Sequence, residues 1–278
     1  MPLYRAKAGD GVAWITGASS GIGRELALAM ARRGYVVAAT ARSIDALEEL
    51  ARESKGMSGA IRAFAGDVTD AEAMAATVSD IEKHLGPVRL AVFNAGIYIP
   101  THGEALDLCA FEKTLDINLM GTLKGLVPTV ERMKANGCGQ VVFVASVSGY
   151  SGLPAASAYG ATKAAIINMA ESLSFDFEKM NIRTQVVNPG FVDTPATQKN
   201  DFEMPALVSA EKAVAEMIHG IEQGGFEITF PRRFTYMLKF LRMLPHPLYF
   251  WIMKRQTGWR TRPLDYGETT PAAATRSG

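Results

Sequence analysis

Val12-Ala13-Trp14-Ile15-Thr16-Gly17-Ala18-Ser19-Ser20-Gly21-Ile22-Gly23 is the stretch on which the reading of this 278-residue chain turns. Val12 to Thr16 is an apolar run of strand length, and glycines follow it at once. A helix is expected from about Gly23 to Arg33, ended by Gly34. Glycines let the chain turn tightly and let a pyrophosphate approach the backbone. The helix N-terminus behind them offers unpaired N–H groups and a favourable dipole. Gly17, Ser19, Ser20, Gly21, Ile22 and Gly23 are therefore the first candidate binding residues. Their spacing is G-x-x-x-G-x-G, not the commoner G-x-G-x-x-G. Many glycine turns are only tight corners; a strand before and a helix after single this one out.

The same alternation continues outward. Strands are expected at Tyr35 to Thr40, Ile61 to Phe64, Leu90 to Phe93, Gln140 to Val144, Arg183 to Val187 and Glu227 to Phe230. Helices are expected at Ser43 to Ser54, Asp70 to Leu85, Phe111 to Asn136 (with a kink at Pro128), Ser157 to Met180 and Ala210 to Gln223. Strands that are continuously apolar fit a parallel sheet covered on both faces. Their alternation with helices implies right-handed crossovers. The expectation is an α/β chain with a doubly wound parallel sheet, the Rossmann fold. It forms a single domain over 1–230, followed by a C-terminal helical extension over 231–278. In such sheets ligands sit beyond the carboxyl ends of the strands.

Composition excludes other classes. Lys plus Arg number 29 and Asp plus Glu 28, so no basic excess points to nucleic acid. The four histidines are scattered, and Cys109 and Cys138 lack ligand spacing, so no metal is expected. Two isolated cysteines suit reduced thiols and a cytoplasmic setting. Met1 to Asp10 is charged and lacks the apolar run of a signal peptide. Phe234 to Met253 is broken by Lys239, Arg242, Pro245, His246 and Pro247, so it is not expected to span a membrane. The tail from Thr261 to Gly278 is expected to fray.

The end of the second strand carries cofactor information. An NAD-binding chain places an acid there to hold the ribose hydroxyls, whereas this one reads Ala41-Arg42-Ser43, with no acid until Asp45. A guanidinium and a hydroxyl suit a 2′-phosphate, which a carboxylate would repel. Arg42 and Ser43 thus point to NADP in preference to NAD. The plain alternative is a solvated arginine beside a helix-capping serine.

Tyr159-Gly160-Ala161-Thr162-Lys163 places a phenol and an ammonium four residues apart, on one face of a helix. A nearby cation is expected to lower the phenol pKa from about 10 toward neutrality, as general acid/base work on an alcohol or carbonyl requires. Ser146 follows the strand that ends at Val144, thirteen residues before Tyr159. Its hydroxyl is placed to bond a substrate oxygen as charge shifts onto it. Asn118 falls inside an expected helix, where asparagine has poor propensity. Anchoring a proton-relay water beside the lysine is one reason for it.

Over about Gly11 to Phe230 the chain resembles the short-chain dehydrogenases/reductases. The resemblance rests on Thr16 to Gly23, Asn94-Ala95-Gly96, Asn118, Ser146, Tyr159 with Lys163, and Asn188-Pro189-Gly190. It implies that Asp67 and Val68 hold the adenine, and that Asn94, Ala95 and Gly96 stabilise the sheet beside the cofactor. It further implies that Tyr159 and Lys163 meet the nicotinamide ribose region, and that Pro189, Gly190, Val192 and Thr194 line the nicotinamide. The helices within Phe111 to Asn136 and Ser157 to Met180 resemble the family's dimer-forming pair, so a homodimer or homotetramer is implied.

Ile97, Tyr98, Tyr150, Leu153, Pro154, Phe191, Phe202, Met204 and Leu207 make the expected substrate surroundings apolar. No Arg or Lys stands in Ser148 to Ala156. The substrate expected is a hydrophobic ketone or alcohol. Alternatives are a 3-ketoacyl-thioester reductase of lipid metabolism and a non-catalytic NADP(H)-sensing regulator. Within 231–278, basic residues alternate with aromatics and leucines. A cover over the substrate mouth or a dimer contact is preferred there; peripheral membrane contact through 234–256 is the alternative.

Overall fold

A computed structural model describes residues 2–195, 197 and 204–264. Along the chain run β1 (Val12–Thr16), α1 (Gly21–Arg32), β2 (Val36–Ala41), α2 (Ile44–Glu53), β3 (Ala60–Ala65), α3 (Ala71–Leu85) and β4 (Val88–Phe93). Then come α4 (Leu108–Leu115), α5 (Gly121–Ala135), β5 (Gly139–Val144), α6 (Ser157–Lys179), β6 (Ile182–Pro189), α7 (Ala210–Gln223) and β7 (Glu227–Phe230). The extension contributes α8 (Arg232–Arg242) and α9 (His246–Gln256).

The strands form one parallel sheet in the order β3-β2-β1-β4-β5-β6-β7. The direction of winding reverses between β1 and β4, which opens a crevice at their carboxyl ends. Each strand feeds both faces. Ala13 and Ile15 join a core with Leu26, Leu47, Met217 and Ile221. Val12 and Trp14 join the opposite core with Met74, Phe93, Phe143 and Ile166. Because both faces are covered, the strands read as unbroken apolar runs.

Helix starts follow local chemistry. Ser43, Asp70 and Ser209 each accept a bond from the backbone N–H three residues on, capping α2, α3 and α7. The expected helix from Phe111 to Asn136 is the main departure. It begins earlier, at Leu108, where Asp107 caps it, and a π-helical turn at Asp116–Met120 divides it into α4 and α5. Pro128, where a kink is expected, lies inside α5 without interrupting it. The widened turn makes room for Asn118, whose fully buried amide bonds out of the helix rather than along it. Of the expectations above, Phe202 and residues 265–278 of the tail lie outside the described residues.

Candidate active site

The glycine turn leaves β1 at Thr16. Thr16 Oγ1 accepts the backbone N–H groups of Asn94 (3.0 Å) and Ala95 (3.2 Å). Asn94 Nδ2 returns bonds to the carbonyls of Thr16 (3.1 Å) and Gly17 (3.2 Å). The loops after β1 and β4 are thereby locked together across the crevice. Gly17 has φ +68°, and a Cβ there would meet Ala95 Cα at 2.7 Å. A Cβ on Gly23 would meet the Gly17 carbonyl oxygen at 2.3 Å, so both positions exclude side chains. Gly21, at φ +56°, faces the Thr194 side chain, which brings the loop after β6 over the turn. Ser20 makes no side-chain cap at the start of α1, and Ser19 and Ile22 complete the turn.

The loops after β2 and β3 meet beside this turn. Ser43 Oγ accepts from Ala46 N at 3.3 Å, which leaves its hydroxyl hydrogen to donate, and Arg42 is exposed. Asp67 Oδ1 accepts from the Thr69 backbone and hydroxyl. Those bonds, with the Arg42 charge nearby, hold its carboxyl below the ordinary range. Val68 packs where a side chain on Gly121 would otherwise sit. Pro189 ends β6, and Gly190 N–H donates to the Phe230 carbonyl at 2.7 Å. Val192 is buried and pairs with Val208.

The second set of candidates converges from β5, α6 and the π turn. Ser146 Oγ accepts from Ser148 N at 3.1 Å and donates to Ser148 Oγ at 3.3 Å, and it lies close enough to the Tyr159 phenol to lower that group's pKa. Lys163 Nζ lies 5.4 Å from the centre of the Tyr159 ring and donates to the Val144 carbonyl at 2.7 Å. Gly96 closes the far side, because a Cβ there would stand 3.6 Å from Lys163 Nζ and 3.2 Å from Asn118 Oδ1. Asn118 spans the gap between loops. It accepts from Ile97 N (2.8 Å) and donates to Ile97 O (2.9 Å) and Thr162 Oγ1 (3.2 Å). Its side chain thus holds the 95–98 loop in place.

The electrostatics differ from the expectation. Burial pushes the Tyr159 phenol up to about 12; the Ser146 hydroxyl opposes this, and Tyr98 adds to it. Burial also brings Lys163 down to about 8. The expected lowering of Tyr159 by Lys163 is therefore not what this arrangement produces. The ammonium is bonded to a strand carbonyl, and desolvation of the phenolate outweighs its attraction at ring distance.

Several contributors went unread in the sequence. Thr16 and Thr162 lie inside the quoted motifs and bond to Asn94, Ala95 and Asn118, yet nothing in their spacing marks those partners. Tyr98, expected among the substrate surroundings, packs edge-on against Tyr159, with ring centres 5.3 Å apart. Tyr150, expected in the substrate wall, belongs to the core instead. Its hydroxyl donates to Glu227 Oε1 at 2.6 Å, and Asn188 Nδ2 donates to the same oxygen at 2.8 Å. Lys239 on α8 pairs with Glu227 Oε2. Burial pushes the Glu227 carboxyl up, but the Lys239 bond and the two further donors bring it below its usual range. Ile97, Tyr98, Leu153, Pro154 and Phe191 keep partial exposure, and Leu207 is exposed.

The glycine turn suits a dinucleotide because its tight packing on the loop after β4 leaves no room for side chains at Gly17 and Gly23, and α1 begins without a side-chain cap. The model of the short chain dehydrogenase family matches residues 11–204. An uncharacterised oxidoreductase of Myxococcus xanthus is 34% identical over 237 residues, covering 85% of this chain and 94% of that protein. The 3-oxoacyl-[acyl-carrier-protein] reductase MabA of Mycobacterium tuberculosis is 34% identical over 187 residues, 67% of this chain and 71% of that one. The structure of an alcohol dehydrogenase from Thermococcus sibiricus, complexed with 5-hydroxy-NADP, superposes with a TM-score of 0.71 at 26% identity. It covers 79% of this chain and 95% of its own.

Proposed function

This chain belongs to the short-chain dehydrogenase/reductase family, an oxidoreductase of CH–OH and C=O groups using a nicotinamide cofactor, and on that premise we propose that it is an NADPH-dependent reductase of a hydrophobic ketone. The observation that carries this reading is the convergence of Ser146, Tyr159 and Lys163 at the carboxyl end of β5, next to Gly96 and the locked turn. When bound, the cofactor supplies the hydride for the carbonyl carbon. Gly17, Ser19, Ser20, Gly21, Ile22 and Gly23 would cradle its pyrophosphate, and Thr194 would close over it. Asp67 and Val68 would flank the adenine, while Arg42 and Ser43 would take the 2′-phosphate.

The protein's own groups handle the proton. Tyr159, held protonated at neutral pH by burial, donates its phenolic hydrogen to the substrate oxygen. Ser146 donates a hydrogen bond to the same oxygen as negative charge builds on it. Lys163, with its proton loss near pH 8, is charged at neutral pH and stabilises the phenolate left behind. Asn118 is a positioning residue that fixes the Ile97 segment, and with it Gly96 and Tyr98. The half-exposed rims of Ile97, Tyr98, Leu153 and Phe191 favour an apolar substrate. Similarity to MabA favours one more specific reading, reduction of a 3-oxoacyl thioester.

Exposed Leu115, Met120, Val127 and Phe175 on and between α4, α5 and α6 support pairing with a second copy through those helices. The free thiols of Cys109 and Cys138 support a reducing, cytoplasmic setting.

NADPH consumption with a panel of hydrophobic ketones and 3-oxoacyl thioesters tests the reading. Tyr159→Phe is expected to cut turnover about 100- to 10,000-fold while NADPH binding persists. Unchanged turnover would sink the proposal, and binding without turnover of any panel member by the unaltered protein would favour a sensing role.

A further inference from the structure

The extension has an inner and an outer side of opposite character. Its inner side is fixed against the loops that ring Tyr159. Phe234 packs beside Phe191, ring centres 6.0 Å apart. Tyr249 donates to the Gly152 carbonyl at 2.7 Å. Trp259 stacks on His102 at 6.0 Å, and Arg262 reaches Glu104 at 2.5 Å. The extension therefore stands at the mouth of the candidate site.

On the outer side, Arg233, Met237 and Phe240 follow one another at helical spacing along α8, away from the buried Thr235 and Leu238. Phe240 is 61% exposed, Met243 just after it 81%, and Trp251 on α9 57%. Arg242, Lys254 and Arg255 are exposed among them, with Arg255 lying over the Trp251 ring. Between 231 and 264 there are eight basic residues and no acidic one. Since the whole chain carries a formal charge of only +1, the remainder is net negative. Arg233, Arg242, Lys254 and Arg255 thus set a cluster of cations among the exposed Met237, Phe240, Met243 and Trp251 on the outer side of the extension.

We propose that this face docks on an anionic lipid bilayer, with α8 and α9 lying flat in the interface and the mouth of the site turned toward the lipid. Eleven residues give each helix about 16 Å, roughly half the hydrocarbon thickness, so neither can cross. Among the described residues no helix is long and apolar enough to span a membrane. Short helices with aromatic residues and cations exposed together match an interfacial placement. A second copy is the poorer occupant, because a two-fold contact would set the cationic face against itself. Docking does not depend on the catalytic reading.

Co-sedimentation of the full chain with vesicles tests this without an activity readout. Binding is expected to vesicles of phosphatidylcholine mixed with phosphatidylglycerol, to weaken as salt rises, and to be at least about tenfold weaker on phosphatidylcholine alone. Each neutralised cation should cost about fivefold, so Arg233→Gln with Arg242→Gln and Lys254→Gln should weaken binding about 100-fold. These side chains are exposed, and an unchanged melting temperature shows that the fold survives. Phe240→Ser with Trp251→Ser, charge intact, should also reduce binding. No binding to the anionic vesicles, or equal binding to both compositions, would overturn the proposal. So would an oligomer in lipid-free solution that Phe240→Glu dissociates, since a second copy would then own the face.

Discussion

Replacing Lys163 with methionine should stabilise this protein while disabling it. Lys163 is 3% exposed, and its Nζ donates to the Val144 carbonyl at 2.7 Å. Burial brings its proton loss down from 10.5 to about 8. Carrying the charge at pH 7 then costs roughly 3 kcal/mol relative to an ammonium in water. Methionine keeps the length and removes the charge, but leaves the Val144 carbonyl one donor short, a cost of about 1–2 kcal/mol. The expected net gain is about 1–2 kcal/mol at pH 7, or a melting temperature higher by about 2–6 °C. The pH dependence gives the signature. Between about 8 and 10.5 the folded unaltered protein binds fewer protons at this site than its unfolded chain, so its stability rises with pH. The advantage of Lys163→Met is full below pH 8 and should shrink by about 2 kcal/mol by pH 9.5. Denaturant titrations of both proteins, free of cofactor, at the two pH values read this directly, because other titrating groups cancel in the difference. A variant less stable by the same margin at both pH values would refute the reasoning. Turnover in that variant should fall about 100-fold or more.

Arg42→Asp should weaken NADPH binding about 10- to 100-fold and shift preference toward NADH, read by titration with each; unchanged NADPH affinity would remove Arg42 from the phosphate site. With Tyr159 pushed up to about 12, alcohol oxidation, which needs the phenolate, should climb nearly tenfold per pH unit from 7 to about 8, and less steeply above as Lys163 loses its charge. Ketone reduction, which uses the phenol, should stay level to about pH 8; parallel pH profiles for the two directions would contradict this. Gly17→Ala forces a methyl to within 2.7 Å of Ala95 Cα at a positive φ, so a loss of about 2–4 kcal/mol in unfolding free energy is expected by denaturant titration, together with lost cofactor binding. Tyr249→Phe removes the bond to the Gly152 carbonyl and should raise KM more than it lowers kcat, with about 1 kcal/mol lost in stability.

Element order and type were legible because they rest on local and facewise regularities. Val12 to Thr16 reads as a strand covered on both sides because alternate residues enter different cores, and its ends are those observed. The candidate residues were legible for a related reason. Chain connectivity in a doubly wound sheet sends every strand-to-helix turn to one edge, so Gly17, Asn94, Ser146 and Gly190 meet whatever their sequence separation. The π turn at Asp116–Met120 left no such mark, since one added residue per turn barely alters an apolar pattern.

By itself the sequence determined the order and type of the elements, the glycine turn and the pairing of Tyr159 with Lys163 on one helical face. Only the tertiary structure decided what those groups experience. Lys163 bonds a strand carbonyl nineteen residues away, Tyr150 turns its hydroxyl to Glu227 seventy-seven residues on, and Tyr159 is raised rather than lowered in pKa. Periodicity reports which face a residue occupies. Desolvation and partner choice are sums over every segment that packs against it, and no single stretch of chain contains that sum.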